Sequence, residues 1–259
     1  FRRVLFRSYS YSRTATLSIG WRSGYNNNSD YTIAIGYEAG YSTNGDGNIA
    51  IGYQALKYNT GSGNFAIGYQ AGYNITSGTY NTLIGYQSGL NIVAGSYNHG
   101  IGYQSLYSLS SGTYNIGIGY QALYFAATSS YNTAIGYQAL RQYAGSGNLG
   151  IGYYALRNAT GGANLAIGYA AGQNITSGTY NTAIGDSALQ SAVSSSYNTA
   201  IGYYAAASTT GGVNLAFGPY SAYSNTTGTY NLAIGYNSLY SSTSTSYNTA
   251  IGHEAQIGR

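Results

Sequence analysis

The chain has 259 residues and a formal net charge of +4, yet only 5% of it is charged, against roughly 25% in ordinary soluble proteins. Five of its nine bases (Arg2, Arg3, Arg7, Arg13, Arg22) fall in the first 22 residues, and residues 23–258 carry three bases against five acids. That leaves no basic stripe for a phosphate backbone, so no nucleic-acid partner is expected. Cysteine is absent, which excludes disulfides and thiolate metal sites, and no apolar run approaches the roughly 18 residues of a membrane span.

The opening F-R-R-V-L-F-R-S fits no repeat, and its apolar stretch is too short for a signal peptide. Arg3 to Ser8 resembles the translation of a sequencing-adapter end. Residues 1–8 are therefore expected to be non-native, inside a non-repeat segment spanning 1–15. Methionine is missing even at position 1, so the chain is expected to be a fragment or a processed product.

From residue 16 to 259 one motif is copied, best written N-T-A-I-G-Y-Q-A-L at Asn132 to Leu140. Copies begin at Thr16, Thr32, Asn48, Asn64, Asn81, Asn98, Asn115, Asn132, Asn148, Asn164, Asn181, Asn198, Asn214, Asn231 and Asn248. They are 16 or 17 residues apart, too short for a propeller blade or a leucine-rich unit. Counted from that first residue, position 4 is isoleucine in fourteen of fifteen copies, position 5 is always glycine and position 8 is alanine or serine. A glycine in every unit argues against helix. Alternation over positions 1–4 and 6–9 predicts two short strands per unit with glycine at the corner between them. A weak third strand is expected at positions 11–13, as at 74–76 and 108–110. The expected fold is all-β, a parallel β-solenoid or β-roll of about 15 turns of 16–17 residues.

Three sets of columns follow. Ile51, Ile67, Ile84, Ile101, Ile118 and Ile135 at position 4 are expected to line the core, with small residues at positions 3 and 8 letting the walls approach. Asn48, Asn64, Asn81, Asn98, Asn115 and Asn132 at position 1 read either as an amide ladder or as solvent-facing turn residues. Ordinary turns would also use Asp and Gly there, which favours the ladder. Tyrosines recur at position 6 (Tyr53, Tyr69, Tyr86, Tyr103, Tyr120, Tyr137), at position 10 and at the end of the 17-residue units. They read as structural or assembly ladders, or as a flat aromatic face for glycans.

No enzyme is visible. His99 and His253 lie nine repeats apart, as do Glu38 and Asp186, whereas paired glycosidase carboxylates sit roughly 5–10 Å from one another. N-G-D-G at 44–47 reads as a turn, and no metal or cofactor is expected. Sequons at Asn27, Asn74, Asn158, Asn174 and Asn225 fall in loops where glycosylation is sterically conceivable.

The repeated N-x-A-I-G-x-x-A with its Ser/Gly loop resembles the head repeats of trimeric autotransporter adhesins. The fuller N-T-A-I-G-Y-Q-A-L is similar to repeats of phage tail-fibre proteins. The resemblance covers residues 16–256 and implies a left-handed roll, often trimeric, in an extracellular, cell-surface or virion fibre that touches host surfaces. The function expected is thus a structural and adhesive fibre segment that associates with itself as a homo-oligomer or filament. A glycan-binding surface module is the alternative. An ice-binding solenoid is a further rival, against which stands the mixed position-2 row of Ile49, Phe65, Thr82, His99 and Ile116.

Overall fold

In an extended chain, residues two apart share a face, and each repeat applies that rule over only three residues. The computed structural model describes residues 16–142 and 145–256; the non-repeat segment 1–15, with its 1–8 stretch, lies outside the described residues. The chain divides into two units, Phe1–Tyr131 and Asn132–Arg259. The first contains β1 (Leu17–Ile19), β2 (Ile33–Ile35), β3 (Ile49–Ile51), β4 (Phe65–Ile67), β5 (Thr82–Ile84), β6 (His99–Ile101) and β7 (Ile116–Ile118). The second contains β8 (Thr133–Ile135), β9 (Leu149–Ile151), β10 (Leu165–Ile167), β11 (Thr182–Ile184), β12 (Thr199–Ile201), β13 (Leu215–Phe217), β14 (Leu232–Ile234) and β15 (Thr249–Ile251). Within each unit every strand pairs in parallel with the next, like position on like position, as Ala50 on Ala66 or Ala166 on Ala183. Both units are parallel β-solenoids with one strand per turn.

The expected second strand at positions 6–9 does not form, nor does the third at 74–76 and 108–110. Positions 7 and 9 take left-handed backbone instead, for example Gln54 (φ 54°) and Leu56 (φ 47°), or Gln104 (φ 51°) and Leu106 (φ 53°). Extended pairing is unnecessary there, because bonds between turns continue without it. Gln54 N–H reaches the Tyr37 carbonyl at 2.8 Å and Leu56 N–H reaches that of Ala71 at 3.0 Å. The backbone is satisfied although the chain keeps turning.

The isoleucine column also requires correction. Ile51, Ile67, Ile84 and Ile118 are only half-buried, and Ile101 and Ile135 are 39% and 37% exposed. They point outward. Positions 1 and 3 share one face and positions 2 and 4 the other, so burial of the asparagine column commits position 3 to the inside and isoleucine to the outside.

The core is built from position 3 (Ala50, Ala66, Leu83), position 8 (Ala55, Ala71), position 9 (Leu56, Leu106, Leu123) and position 12 (Ile75, Ile92, Leu109), all fully buried. Burying one such leucine or isoleucine contributes roughly 1.5–3 kcal/mol. Bulk at these positions is offset within the turn: Gly72 and Gly89 accompany Ile75 and Ile92, Leu123 accompanies Ala126, and where Leu106 and Leu109 are both large position 3 is Gly100, whose Cβ would lie 3.1 Å from Leu106 Cδ1. A Cβ on Gly89 would lie 2.6 Å from Leu83 Cδ2 and 2.9 Å from Ile92 Cδ1, so the glycine leaves the volume those side chains fill.

The two unit lengths close the turn alike. The last residue before the asparagine is left-handed whether the unit has 17 residues, as at Tyr97 (φ 57°), or 16, as at Gly63 (φ 68°) and Ala163 (φ 57°).

Candidate functional surface

Asn48, Asn64, Asn81, Asn98 and Asn115 lie inside the first unit, each 1% exposed or less. Asn81 shows the pattern. Its backbone N–H and its Nδ2 both donate to Asn64 Oδ1, at 3.0 and 2.9 Å, and Nδ2 donates also to the Gly95 carbonyl of its own closing loop at 2.9 Å. Asn98 and Asn115 repeat it. In the second unit Asn132 is likewise buried and accepts from the Asn148 N–H at 2.9 Å. The amides thus join turn to turn and fasten each closing loop.

A second amide column, at position 7, escaped the sequence reading. Gln54 Nε2 donates to Glu38 at 3.0 Å, and Gln70, Gln87, Gln104 and Gln121 each donate to the preceding glutamine at 2.9–3.0 Å. The signal was present: one Glu and then five Gln recur at the repeat spacing from residue 38 to 121. Every amide points the same way, towards the Glu38 carboxylate.

Glu38 is held by Lys57 at 2.8 Å and Arg22 at 3.5 Å. The hydrogen bond from Lys57 and then that from Gln54 bring its carboxyl below the usual range, against the opposing effect of burial. Burial pulls the Lys57 ammonium down, but the bonds to Glu38 and Tyr58 outweigh it and the net shift is upward. Tyr41, Tyr58 and Tyr73 surround that ammonium, 5.2–5.9 Å from their ring centres, and Arg22 lies over Trp21, Tyr25 and Tyr41. These charges are consumed within the protein itself.

The exposed features are aromatic and aliphatic. In the first unit Trp21, Tyr37, Tyr53, Tyr69, Tyr86, Tyr103 and Tyr120 form one file, with successive centroids 4.8–5.2 Å apart and planes within 17°. In the second, Tyr137, Tyr153 and Tyr169 stack at 4.9 and 5.2 Å. Closing-loop tyrosines form further files, Tyr80 to Tyr131 in one unit and Tyr180 with Tyr197 in the other. At position 10, Tyr107 stacks on Tyr124 at 4.8 Å, parallel to it. Each pair contributes about 0.5–1.5 kcal/mol beyond its buried area. The position-6 rings remain about 40% exposed, as for Tyr53 and Tyr120.

Beside that file lie the two outward rows of the sheet. Position 4 supplies Ile35, Ile51, Ile67, Ile84, Ile101 and Ile118; position 2 supplies Ile33, Ile49, Phe65, Thr82, His99 and Ile116. The strip holds no acid and no lysine or arginine.

Among the described residues, no three His, Cys, Asp or Glu side chains come together, and no helix is long and apolar enough to cross a membrane. Asp46 of the acidic turn accepts the Asp30 N–H at 2.8 Å. Of the sequons, Asn225 is not available: it is 1% exposed and bonded to Gly228.

The geometry defines a class, the tandem-repeat β-solenoid with tyrosine-rich stacks. Comparison with known families, with curated proteins and with solved structures yields no match for the chain.

Proposed function

We propose that the chain is a structural and adhesive segment of an extracellular or virion fibre whose solenoids associate side by side. The observation that carries this reading is the outward isoleucine column, uncharged and flanked by a half-exposed tyrosine file. A second copy is the fitting occupant because it offers the same apolar strip at the same rung spacing of about 4.8 Å, so side chains interdigitate at every rung. The likeness of the N-x-A-I-G repeat to adhesin heads and tail fibres accords with such an assembly, including a trimer.

Sedimentation of the wild-type chain beside an Ile67→Thr/Ile84→Thr/Ile101→Thr variant tests it. Threonine keeps the β-branch and removes apolar surface, so the variant should fold while its self-association weakens by about tenfold or more. A strictly monomeric wild type at high concentration, or a variant that associates as tightly, would overturn the reading.

The exposed position-6 rings favour a second reading, glycan binding on the aromatic file. A glycan array with Tyr69→Ser/Tyr86→Ser/Tyr103→Ser separates the two. Loss of glycan binding with unchanged association assigns the rings to sugar rather than to assembly.

A further inference from the structure

The position-6 file of the second unit is interrupted at Asp186 and at Pro219, and the two gaps differ. Between Tyr203 and Tyr236 the Pro219 gap is plugged by Tyr220, which stands edge-on to both at 5.3 and 6.2 Å. At Asp186 no ring spans the two neighbours in that way; Tyr204, one rung on, stands beside Tyr203 at 4.6 Å and 75°. Next to Asp186, at position 7, is the short, buried Ser187, whose hydroxyl donates to Asp186 Oδ1 at 2.7 Å.

Tyr169, Asp186 and Tyr203 occupy three successive rungs. β10, β11 and β12 are in register through Ile167, Ile184 and Ile201. Ser187 N–H bonds the Tyr169 carbonyl at 2.8 Å, and Tyr204 N–H bonds that of Asp186 at 2.9 Å. The two tyrosines are therefore two strand spacings apart, about 9.6 Å. Subtracting the contact thickness of one ring, roughly 3.5–4 Å, leaves a slot about 6 Å wide. Exposure agrees with an uncovered ring face: Tyr169 is 54% exposed, against 40% for Tyr153, which has a ring on either side. Among the described residues Asp186 has no ion pair, whereas Glu38 has two.

We propose that this slot binds a quaternary or multiply methylated ammonium group, seated between the faces of Tyr169 and Tyr203 with its charge at the Asp186 carboxylate. Ring faces attract such cations, and the carboxylate adds the charge that a purely aromatic sandwich lacks. The slot is about as wide as a tetrahedral methylated ammonium and too wide for a flat guanidinium to touch both rings. A bare metal ion would need several oxygen ligands, and one carboxylate does not supply them. The inference is independent of the fibre reading.

Choline is the probe, and 3,3-dimethylbutan-1-ol, its neutral carbon isostere, is the control, both titrated by ligand-observed NMR at constant ionic strength. The intact chain should bind choline with a dissociation constant on the order of 1 mM and the isostere at least tenfold more weakly. Asp186→Asn keeps the shape and should lose at least tenfold. Asp186→Tyr restores the residue most repeats carry, should fold, and should abolish binding by filling the slot. Free choline alone identifies a soluble cation and retention on phosphatidylcholine vesicles identifies a headgroup; either upholds the slot. Equal affinity for the isostere, undiminished binding by Asp186→Tyr, or no choline binding by ~100 mM would overturn it.

Discussion

A methyl group has opposite prospects at two glycines of this chain. Gly102 stands at the corner with φ 131°, and a Cβ there would lie 2.5 Å from the Gly119 carbonyl oxygen of the next turn. Both the dihedral and the stacking exclude a side chain, so Gly102→Ala should cost on the order of 3 kcal/mol or more. Gly147 is also left-handed, at φ 77°, but its nearest atom would be 3.9 Å away, and Ala163 already occupies the equivalent place in the following unit. There, left-handed strain of about 1–2 kcal/mol is partly offset by the lower entropy of the unfolded chain, and Gly147→Ala should cost about 1 kcal/mol or less. Urea midpoints of the two variants check the contrast. The invariance of position 5 was legible as a corner in the sequence. The crowding between consecutive corners was not, because it arises only when turns stack.

Within one turn, three residues of strand are supplemented by columns of amides and rings. The glutamine column is polarised onto Glu38, so its anchor responds to acid. Glu38 has a lowered carboxyl pKa in the folded chain, bonded first by Lys57 and then by Gln54. A group lowered on folding stabilises fully above its unfolded value, roughly 4.3, and loses that contribution as pH falls through the folded value. Amide protection factors around residues 38–57, corrected for the intrinsic pH dependence of exchange, should therefore fall below about pH 4, and Glu38→Gln should flatten that dependence. An unchanged acid limb in the variant would show that another group sets it. Elsewhere the bond with Tyr154, and secondarily burial, push the Tyr153 phenol up to about 12. Position 7 went unread because its neighbours suggested a strand. In the folded chain it is a left-handed turn residue, which brings its side chain onto the turn below rather than across a sheet.

At the scale of the molecule, the shortage of charge sets what the proposed self-association would respond to. The outward strip contains no acid, lysine or arginine, so association through it should be insensitive to screening. Raising salt from about 0.05 to about 0.5 M should leave the association constant within about threefold of its starting value, or tighten it, whereas ion-pair docking would weaken it progressively. Sedimentation equilibrium across that range measures the difference. Of the charges in the first unit, Lys57 and Arg22 are both already paired with Glu38. The Asp186 carboxylate, which has no ion pair among the described residues, differs from Glu38 in standing within the tyrosine file.

The sequence by itself determined the repeat, its strand-forming class and the corner glycine, because a 16- or 17-residue period and a glycine in every unit leave no room for helix or a larger blade. It also marked asparagine as a column. What it could not decide was which of two alternating sets faced inward, since Ile at position 4 is the more apolar and Ala at position 3 the smaller. Only the tertiary structure chose. The asparagine amides bond from turn to turn and to their own loops only when buried, and that carries position 3 inside and turns isoleucine to the surface. The core is then completed by Leu and Ile at positions 9 and 12, whose bulk is accommodated by small residues of the same turn, as Gly89 for Ile92 and Gly100 for Leu106.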